Sequence, residues 1–233
     1  MFSFYQTWFN TVEINSSFYH MPKRTTCESW NNKTPDDFKF VLKAPRGITH
    51  YCKLSNNCYS IVCDFIRATE PLIDKIACIL WQFPPSFRMN SQTVDRLGYF
   101  CEQIQPWFPY SAFEFRHDSW LDERIVNALI DYDFEYVRSD HRNMNSLFFP
   151  RPKSKFSYFR MHGPKGNYRG SYSDVTLDRI AAEMRETEFS LAYFDNDFDV
   201  GAPYDAQKLI GRLSSEVRPT SLMSASNDYW GGP

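Results

Sequence analysis

The run Ala112-Phe113-Glu114-Phe115-Arg116-His117 alternates rings with charged side chains. Side chains on a β-strand point to opposite faces with a period of two. Phe113 and Phe115 therefore share one face, suited to packing under helices, while Glu114 and Arg116 share the other. That second face starts apolar at Ala112 and becomes charged toward the C-terminal end.

The same text recurs along the chain, and the seven runs together are 11–15, 38–43, 76–83, 112–117, 134–140, 156–162 and 189–195. Val12 and Ile14 flank Glu13, with Asn15 next. Lys43 follows Phe40 and Leu42, Gln82 lies between Trp81 and Phe83, and Arg160 and His162 alternate with Phe159 and Met161. Arg138 and Asp140 end the fifth run, and Asp195 with Asn196 ends the last. Between several runs lie expected helices at 57–70, 91–105, 121–131 and 174–186; the first two stop at Pro71 and Pro106. Strand and helix alternating in this way predict a parallel sheet with crossovers. An open sheet covered on both sides reads apolar on both faces. A barrel with a ligand at its upper mouth reads apolar outside and charged at the C-terminal strand ends, so the expected fold is α/β, a TIM-type barrel. One domain is expected over residues 1–218, followed by a Ser-rich tail at 219–233.

Composition fits this class. The 233 residues are 42% hydrophobic and 23% charged, and the 21 Phe, 14 Tyr and 6 Trp predict a thick core. A net charge of −2 weighs against a general grip on nucleic acid and leaves room for a local basic patch. The longest apolar run, 76–83, is interrupted by Gln82 and ends at Pro84-Pro85, so no membrane span is expected. No cationic leader precedes an apolar stretch at the start, and the six cysteines form no C-x-x-C pair. Reduced thiols in a cytoplasmic protein are the expectation. Cys52, Cys58 and Cys63 match no standard metal or cluster spacing.

Several segments resemble the YecE-like family, catalogued as a domain of unknown function, number 72. They are Asn10-Thr11-Val12-Glu13-Ile14-Asn15, Lys43-Ala44-Pro45 with Thr49-His50, Gln82-Phe83-Pro84-Pro85, Phe113-Glu114-Phe115-Arg116-His117 with Ser119-Trp120, Arg160-Met161-His162-Gly163, Tyr168-Arg169-Gly170, and Tyr193-Phe194-Asp195-Asn196. The resemblance covers almost the whole chain, implies a TIM-type barrel and supplies no activity. It also implies an opening strand and a Gly-Thr-Ser-Gly-Trp-like loop ahead of the first segment, which here begins a few residues after Met1. The expectation is therefore an incomplete barrel of about seven strands instead of eight, or else a truncated start. Its two open edges, 11–15 and 189–195, would be partly covered by residues 1–9 and prone to self-association. Asp195 stands where the family more usually has Asn.

The charged strand ends supply the candidate site. Glu13, Glu114, His162 and Asp195 are the candidate catalytic groups. Asn15, Lys43, Gln82, Arg116, His117, Asp140, Arg160, Gly163, Tyr168 and Asn196 are the candidate substrate contacts. Arginines grip phosphate or carboxylate bidentately, and carboxylates with imidazole perform acid–base work. The competing reading makes Glu13–Lys43 or Glu114–Arg116 internal ion pairs. Against it, each buried charge costs several kcal/mol to desolvate, and a ligand explains their gathering better. The loop 163–170, with three glycines before Ser173-Asp174, reads either as a phosphate cradle or as a plain surface loop. Glu13, Glu114, His162 and Asp195 suit Zn²⁺ or Mn²⁺ in type, but no metal-binding spacing is present and nearby arginines repel a cation; no metal or cofactor is expected.

The leading function is acid–base chemistry on a small anionic, phosphorylated or polyhydroxylated substrate by an isomerase, lyase or hydrolase. The alternative is a non-catalytic or nucleic-acid-linked binding protein whose rim aromatics Phe18, Tyr19, Trp120, Tyr168 and Tyr172 stack on bases or sugars.

Overall fold

A computed structural model describes residues 2–150, 152 and 154–214, so the expected tail at 219–233 lies outside the described residues. The chain forms two compact units that divide between Tyr136 and Val137. All seven expected runs contain strand. The fifth splits around Val137 into two short strands, one in each unit.

The first unit carries a five-stranded parallel sheet in the order β1 (Thr11–Ile14), β2 (Lys39–Lys43), β3 (Ile76–Gln82), β4 (Ser111–Glu114), β5 (Glu135–Tyr136). Register decides what shares a face. Glu13 lies beside Val41, Val41 beside Cys78, Lys43 beside Leu80, Gln82 beside Glu114, and Ala112 beside Glu135. Glu13, Lys43, Gln82, Glu114 and Glu135 therefore stand on one face of this sheet.

The opposite face is aromatic and lies under helices. Trp81 meets Phe100 of the helix α5 (Ser91–Ile104) edge-on at 4.9 Å, and Phe40 stacks on Trp30 of α3 (Arg24–Asn32). Phe83 stacks on Phe115 at 5.2 Å, Phe115 on Trp120 at 4.3 Å, and Trp120 on Phe87 at 5.1 Å. Two short helices, α1 (Phe2–Tyr5) and α2 (Ser16–Tyr19), flank β1. The remaining helices of this unit are α4 (Tyr59–Thr69) and α6 (Glu123–Ile130).

Caps explain where the helices begin. Asn90 and Thr93 form a reciprocal capping box that starts α5 at Ser91. Asp122 accepts from the Arg124 amide and delays α6 to Glu123. The expected 57–70 helix opens as a 3-10 turn at Asn56–Cys58. After Thr69 it tightens into a second such turn, Glu70–Lys75, in which Pro71 is tolerated because the first amides of a helix lack partners anyway.

The second unit carries a three-stranded parallel sheet, β6 (Arg138–Ser139), β7 (Phe156–Met161) and β8 (Phe189–Phe194), with helices α7 (Asp174–Met184) and α8 (Gly201–Ser214). Phe159 and Met161 enter a core with Leu177, Ile180 and Ala181 of α7 and Leu209 of α8. Arg138 corrects the sequence reading, which puts it at the charged mouth. It lies beside Phe159, its guanidinium 5.0 Å over that ring, and pairs with Glu183 of α7. Phe159 faces α7, so Arg138 beside it takes the helix side, the side its parity with Tyr136 would give.

The architecture is thus α/β with parallel sheets, each with two ends: β1 and β5 in one, β6 and β8 in the other. No helix among the described residues is long and apolar enough to cross a membrane. All six cysteines are free thiols; Cys27, Cys58, Cys78 and Cys101 are buried. Burial pushes the thiols of Cys27 and Cys58 up to about 11 and those of Cys78 and Cys101 higher still.

Candidate functional site

In the first unit the site grows from the strand ends. Glu114, fully buried, and Arg116, nearly so, form an ion pair at 2.7 Å (Oε1 to Nη2). The internal pairing weighed as the competing reading is therefore present. Lys43 ends β2 with its ammonium 4.5 Å over the ring of Phe18, and Ser17 ties the two loops by donating to the carbonyls of Ile14 and Lys43. After β2 the chain makes a π-turn, Gly47–Tyr51, of a kind often found at functional sites. That turn carries His50 to the edge of the Phe18 ring, 4.8 Å away.

His50 is a residue that sequence reasoning passed over. Burial, then the positive charges of Lys43, Arg116, Arg46 and Lys53, hold its imidazole down at about 4. It is neutral at pH 7, inside a ring of cations. Periodicity carries no signal for a π-turn; the pointer was the family-like pair Thr49-His50, set aside because it lies in a loop. Glu135, fully buried on the same sheet face as Glu114, was also missed, because the fifth run reads as aromatic. It reinforces the upward shift that burial imposes on Cys78, and Glu13 adds to it.

Other candidates here have local duties. Gln82 donates to the carbonyl of Phe83 at 2.9 Å. His117 caps the turn Asp118–Trp120, its Nδ1 accepting from the Ser119 amide. Asn15 opens α2 without a side-chain capping bond.

The second unit holds a tighter constellation. Arg160, 3% exposed, places Nη2 2.9 Å from Asp195 Oδ2 and Nη1 3.3 Å from His162 Nε2. His162 Nε2 lies 3.4 Å from the same Asp195 oxygen. Nε2 thus lies between a donor, the Arg160 guanidinium, and an acceptor, Asp195 Oδ2, and which of them it serves depends on the tautomer. Nδ1 lies 3.2 Å from Ser139 Oγ and 3.6 Å from Asp140 Oδ1. Asp140 also accepts from the His162 amide at 2.6 Å and from the Tyr172 hydroxyl. A guanidinium, an imidazole and a carboxylate thus meet within hydrogen-bonding reach of one another.

Asn196 sits behind this group, fully buried, donating to Asp205 Oδ2 and to the Gly170 carbonyl. Its own side-chain oxygen has no hydrogen-bond partner among the described residues. Trp120, Tyr172 and Phe18 are buried and offer no rim for stacking, which corrects that part of the alternative reading; Tyr19 and Tyr168 are exposed. Among the described residues no three His, Cys, Asp or Glu side chains are grouped to hold a metal ion.

A family model described as Protein of unknown function DUF72 matches residues 1–227. The chain belongs to the DUF72 family. It is 32% identical over 127 residues to the UPF0759 protein YecE of Escherichia coli (strain K12), a match covering 53% of this chain and 45% of that protein. It is 31% identical over 133 residues to the UPF0759 protein YunF of Bacillus subtilis (strain 168), covering 55% and 46%. These matches thus span somewhat under half the length of those relatives. The crystal structure of a DUF72 family protein from Thermotoga maritima MSB8 superposes with a TM-score of 0.75 at 28% identity, covering 91% of this chain and 88% of that one. A DUF72 family protein from Enterococcus faecalis V583 gives 0.75 at 21% identity, covering 90% and 91%, and shares the fold.

The glycine loop of this DUF72 chain is built for close approach. Gly163 donates to the Tyr172 hydroxyl, Gly166 to the Gly163 carbonyl, and the Gly166 carbonyl accepts from Arg142. At the following helix Ser173 caps the Thr176 amide. These amides are engaged within the protein, which weakens the phosphate-cradle reading. Gly166 has φ +64°, and a Cβ there would come within 2.2 Å of the Asp140 carbonyl oxygen and 2.4 Å of the Arg142 nitrogen. Gly166→Ala is therefore expected to destabilise the second unit by roughly 1–3 kcal/mol, from left-handed strain plus displaced backbone. Urea unfolding checks it; a midpoint equal to that of the parent would show that the loop yields freely.

Proposed function

We propose that this DUF72 chain binds a small anionic substrate, phosphorylated or polyhydroxylated, at the C-terminal ends of its strands and performs acid–base chemistry on it. The observation that carries the proposal is the buried Arg160 guanidinium held between His162 and Asp195. An arginine so placed grips an oxyanion when its carboxylate partner yields, while His162 Nε2 or Asp195 takes a proton and the other returns it. Isomerase, lyase and hydrolase chemistry all meet this description. The fold that goes with this reading is a TIM-type barrel over residues 1–218, with Glu13, Lys43, Glu114 and Arg116 as further candidate contacts at strand ends. A cytoplasmic location is in keeping with the free thiols.

The test is a thermal-shift screen of sugar phosphates, polyols and small carboxylates on the wild type and on Arg160→Gln. A ligand that stabilises the wild type should bind the variant roughly tenfold or more weakly, with the variant's own unfolding still cooperative. Equal stabilisation of both proteins would remove Arg160 from the site. A second reading, a binding protein that does no chemistry and contacts nucleic acid, draws on the exposed Tyr19, Tyr51 and Tyr168. Affinity for a single-stranded oligonucleotide that falls steeply with salt would favour it.

A further inference from the structure

Two rows of alternating cations and rings meet in the first unit, where the chain leaves β1 and β2. In one row the Lys43 ammonium lies on Phe18, whose edge meets His50. In the other the Arg46 guanidinium lies between two exposed rings, 5.7 Å from the centre of Tyr19 and 5.4 Å from that of Tyr51. The rows interlock because Phe18 and Tyr19 are neighbours in α2, while His50 and Tyr51 are neighbours in the π-turn. Arg46 has no carboxylate partner among the described residues. Its contacts with the two rings are cation–π contacts, which leave the planar donor fork available to an oxyanion. Thr49 fixes the imidazole beside it, Oγ1 lying 2.9 Å from His50 Nδ1.

We propose that this corner is an oxyanion subsite for the phosphate of a phosphomonoester, with Arg46, Lys43 and His50 as its contacts and Tyr19 and Tyr51 as its walls. The inference rests on the anionic-substrate reading above and adds to it the chemical group recognised, its place, and contacts at Arg46 and His50. The charges that depress the His50 imidazole are those of Lys43 from the end of β2, Arg46 and Lys53 from either side of the π-turn, and Arg116 from beyond β4, the last of them paired with Glu114. Burial first, and then these charges, hold the imidazole neutral, so it offers one N–H to an incoming anion without adding to the positive charge already there.

Binding a dianion offsets those cations. The His50 imidazole then rises from about 4 toward its ordinary value, so binding takes up a proton in mildly acidic solution. By linkage, affinity increases as pH falls from about 7 toward about 5. Sulfate does not titrate in this range and isolates the contribution of His50; inorganic phosphate and glycerol 2-phosphate then distinguish free phosphate from an ester.

The experiment follows the histidine ring resonances by NMR, with His50→Gln assigning its signal, during titration of the full chain with each of the three anions. The His50 signal is expected to move with all three. Glycerol 2-phosphate should bind most tightly, and Arg46→Gln should weaken binding roughly tenfold or more with an unchanged thermal transition. Lys53→Gln, more distant in the same potential, should weaken it less and covers the case in which Arg46→Gln fails to fold. If anions bind and Arg160→Gln abolishes binding while the His50 signal stays still, the subsite is wrong and the anionic-substrate reading stands. If none of the three anions moves His50, the subsite is overturned, and the broader reading is then decided by the metabolite screen.

Discussion

Asp140→Ala is expected to lower stability by roughly 3–5 kcal/mol, as stranding buried partners of a lost carboxylate does. Asp140 is nearly buried, and its two oxygens serve different parts of the second unit. One accepts from the His162 amide at 2.6 Å; the other accepts from the Tyr172 hydroxyl, which itself accepts from the Gly163 amide at 2.5 Å. Removing the carboxylate leaves the His162 amide and the Tyr172 hydroxyl without their acceptor in a place water does not readily reach. Burial, then the Asp140 charge, already pushes the Tyr172 phenol far above its ordinary value, so the tyrosine stays a donor at every physiological pH. Asp140→Asn keeps the shape and one accepting oxygen and should lose about half as much. Tyr172→Phe should lose less again, since Asp140 then retains the His162 amide. Urea unfolding of the three variants gives the order; an Asp140→Ala loss below about 1 kcal/mol would mean that the group is solvated after all.

Trp120→Ala should cost a similar amount, about 3–5 kcal/mol, by a different mechanism. Trp120 is fully buried between Phe87 and Phe115, both within 12° of parallel to it. Its indole N–H donates to the Phe87 carbonyl at 2.7 Å, and its own carbonyl accepts from Tyr136. Alanine opens a cavity between two rings that cannot close without moving β4, and it strands the Phe87 carbonyl. Trp120→Phe retains the stack and loses mainly the hydrogen bond, so it should cost about 1–2 kcal/mol. Thermal unfolding separates the two; equal losses would show that packing is a minor part of what Trp120 contributes.

Trp120 also illustrates what was legible in the sequence. Its position after a charged strand end suggested a stacking platform for ligands, whereas neighbouring rings consume both of its faces. Composition announces that aromatics are plentiful but not which of them face one another. The strands themselves were legible because alternation is a direct print of backbone geometry, and all seven runs were found. α3 was not anticipated because its nine residues bury only Cys27 and offer no apolar stripe. α8 escaped because its first turn holds Gly201 and Pro203, which read as loop.

For the site, parity put Glu13, Lys43, Gln82 and Glu114 on a common face, and register agrees. Arg138 was put at the mouth for its charge, against a parity that it shares with Tyr136 and that puts it on the helix side. Parity had nothing to say about Arg46 and His50, which depend on a turn and on residues far away in sequence. The link from Tyr172 to Asp140, 32 residues apart, is likewise invisible to local pattern.

The buried thiols turn the molecule into its own stopwatch. A thiol reacts as its thiolate and only where a reagent can reach it, and both conditions fail for Cys27, Cys58, Cys78 and Cys101 while the chain is closed. Cys78 lies in the middle strand of the five-stranded sheet and is freed only when that sheet parts, whereas Cys52 and Cys63 are partly open from the start. Cys27 and Cys101 lie on α3 and α5, so each labelling rate times the detachment of one helix. Without a single engineered label, the rates at which the six cysteines become modified would rank the order in which the first unit comes undone.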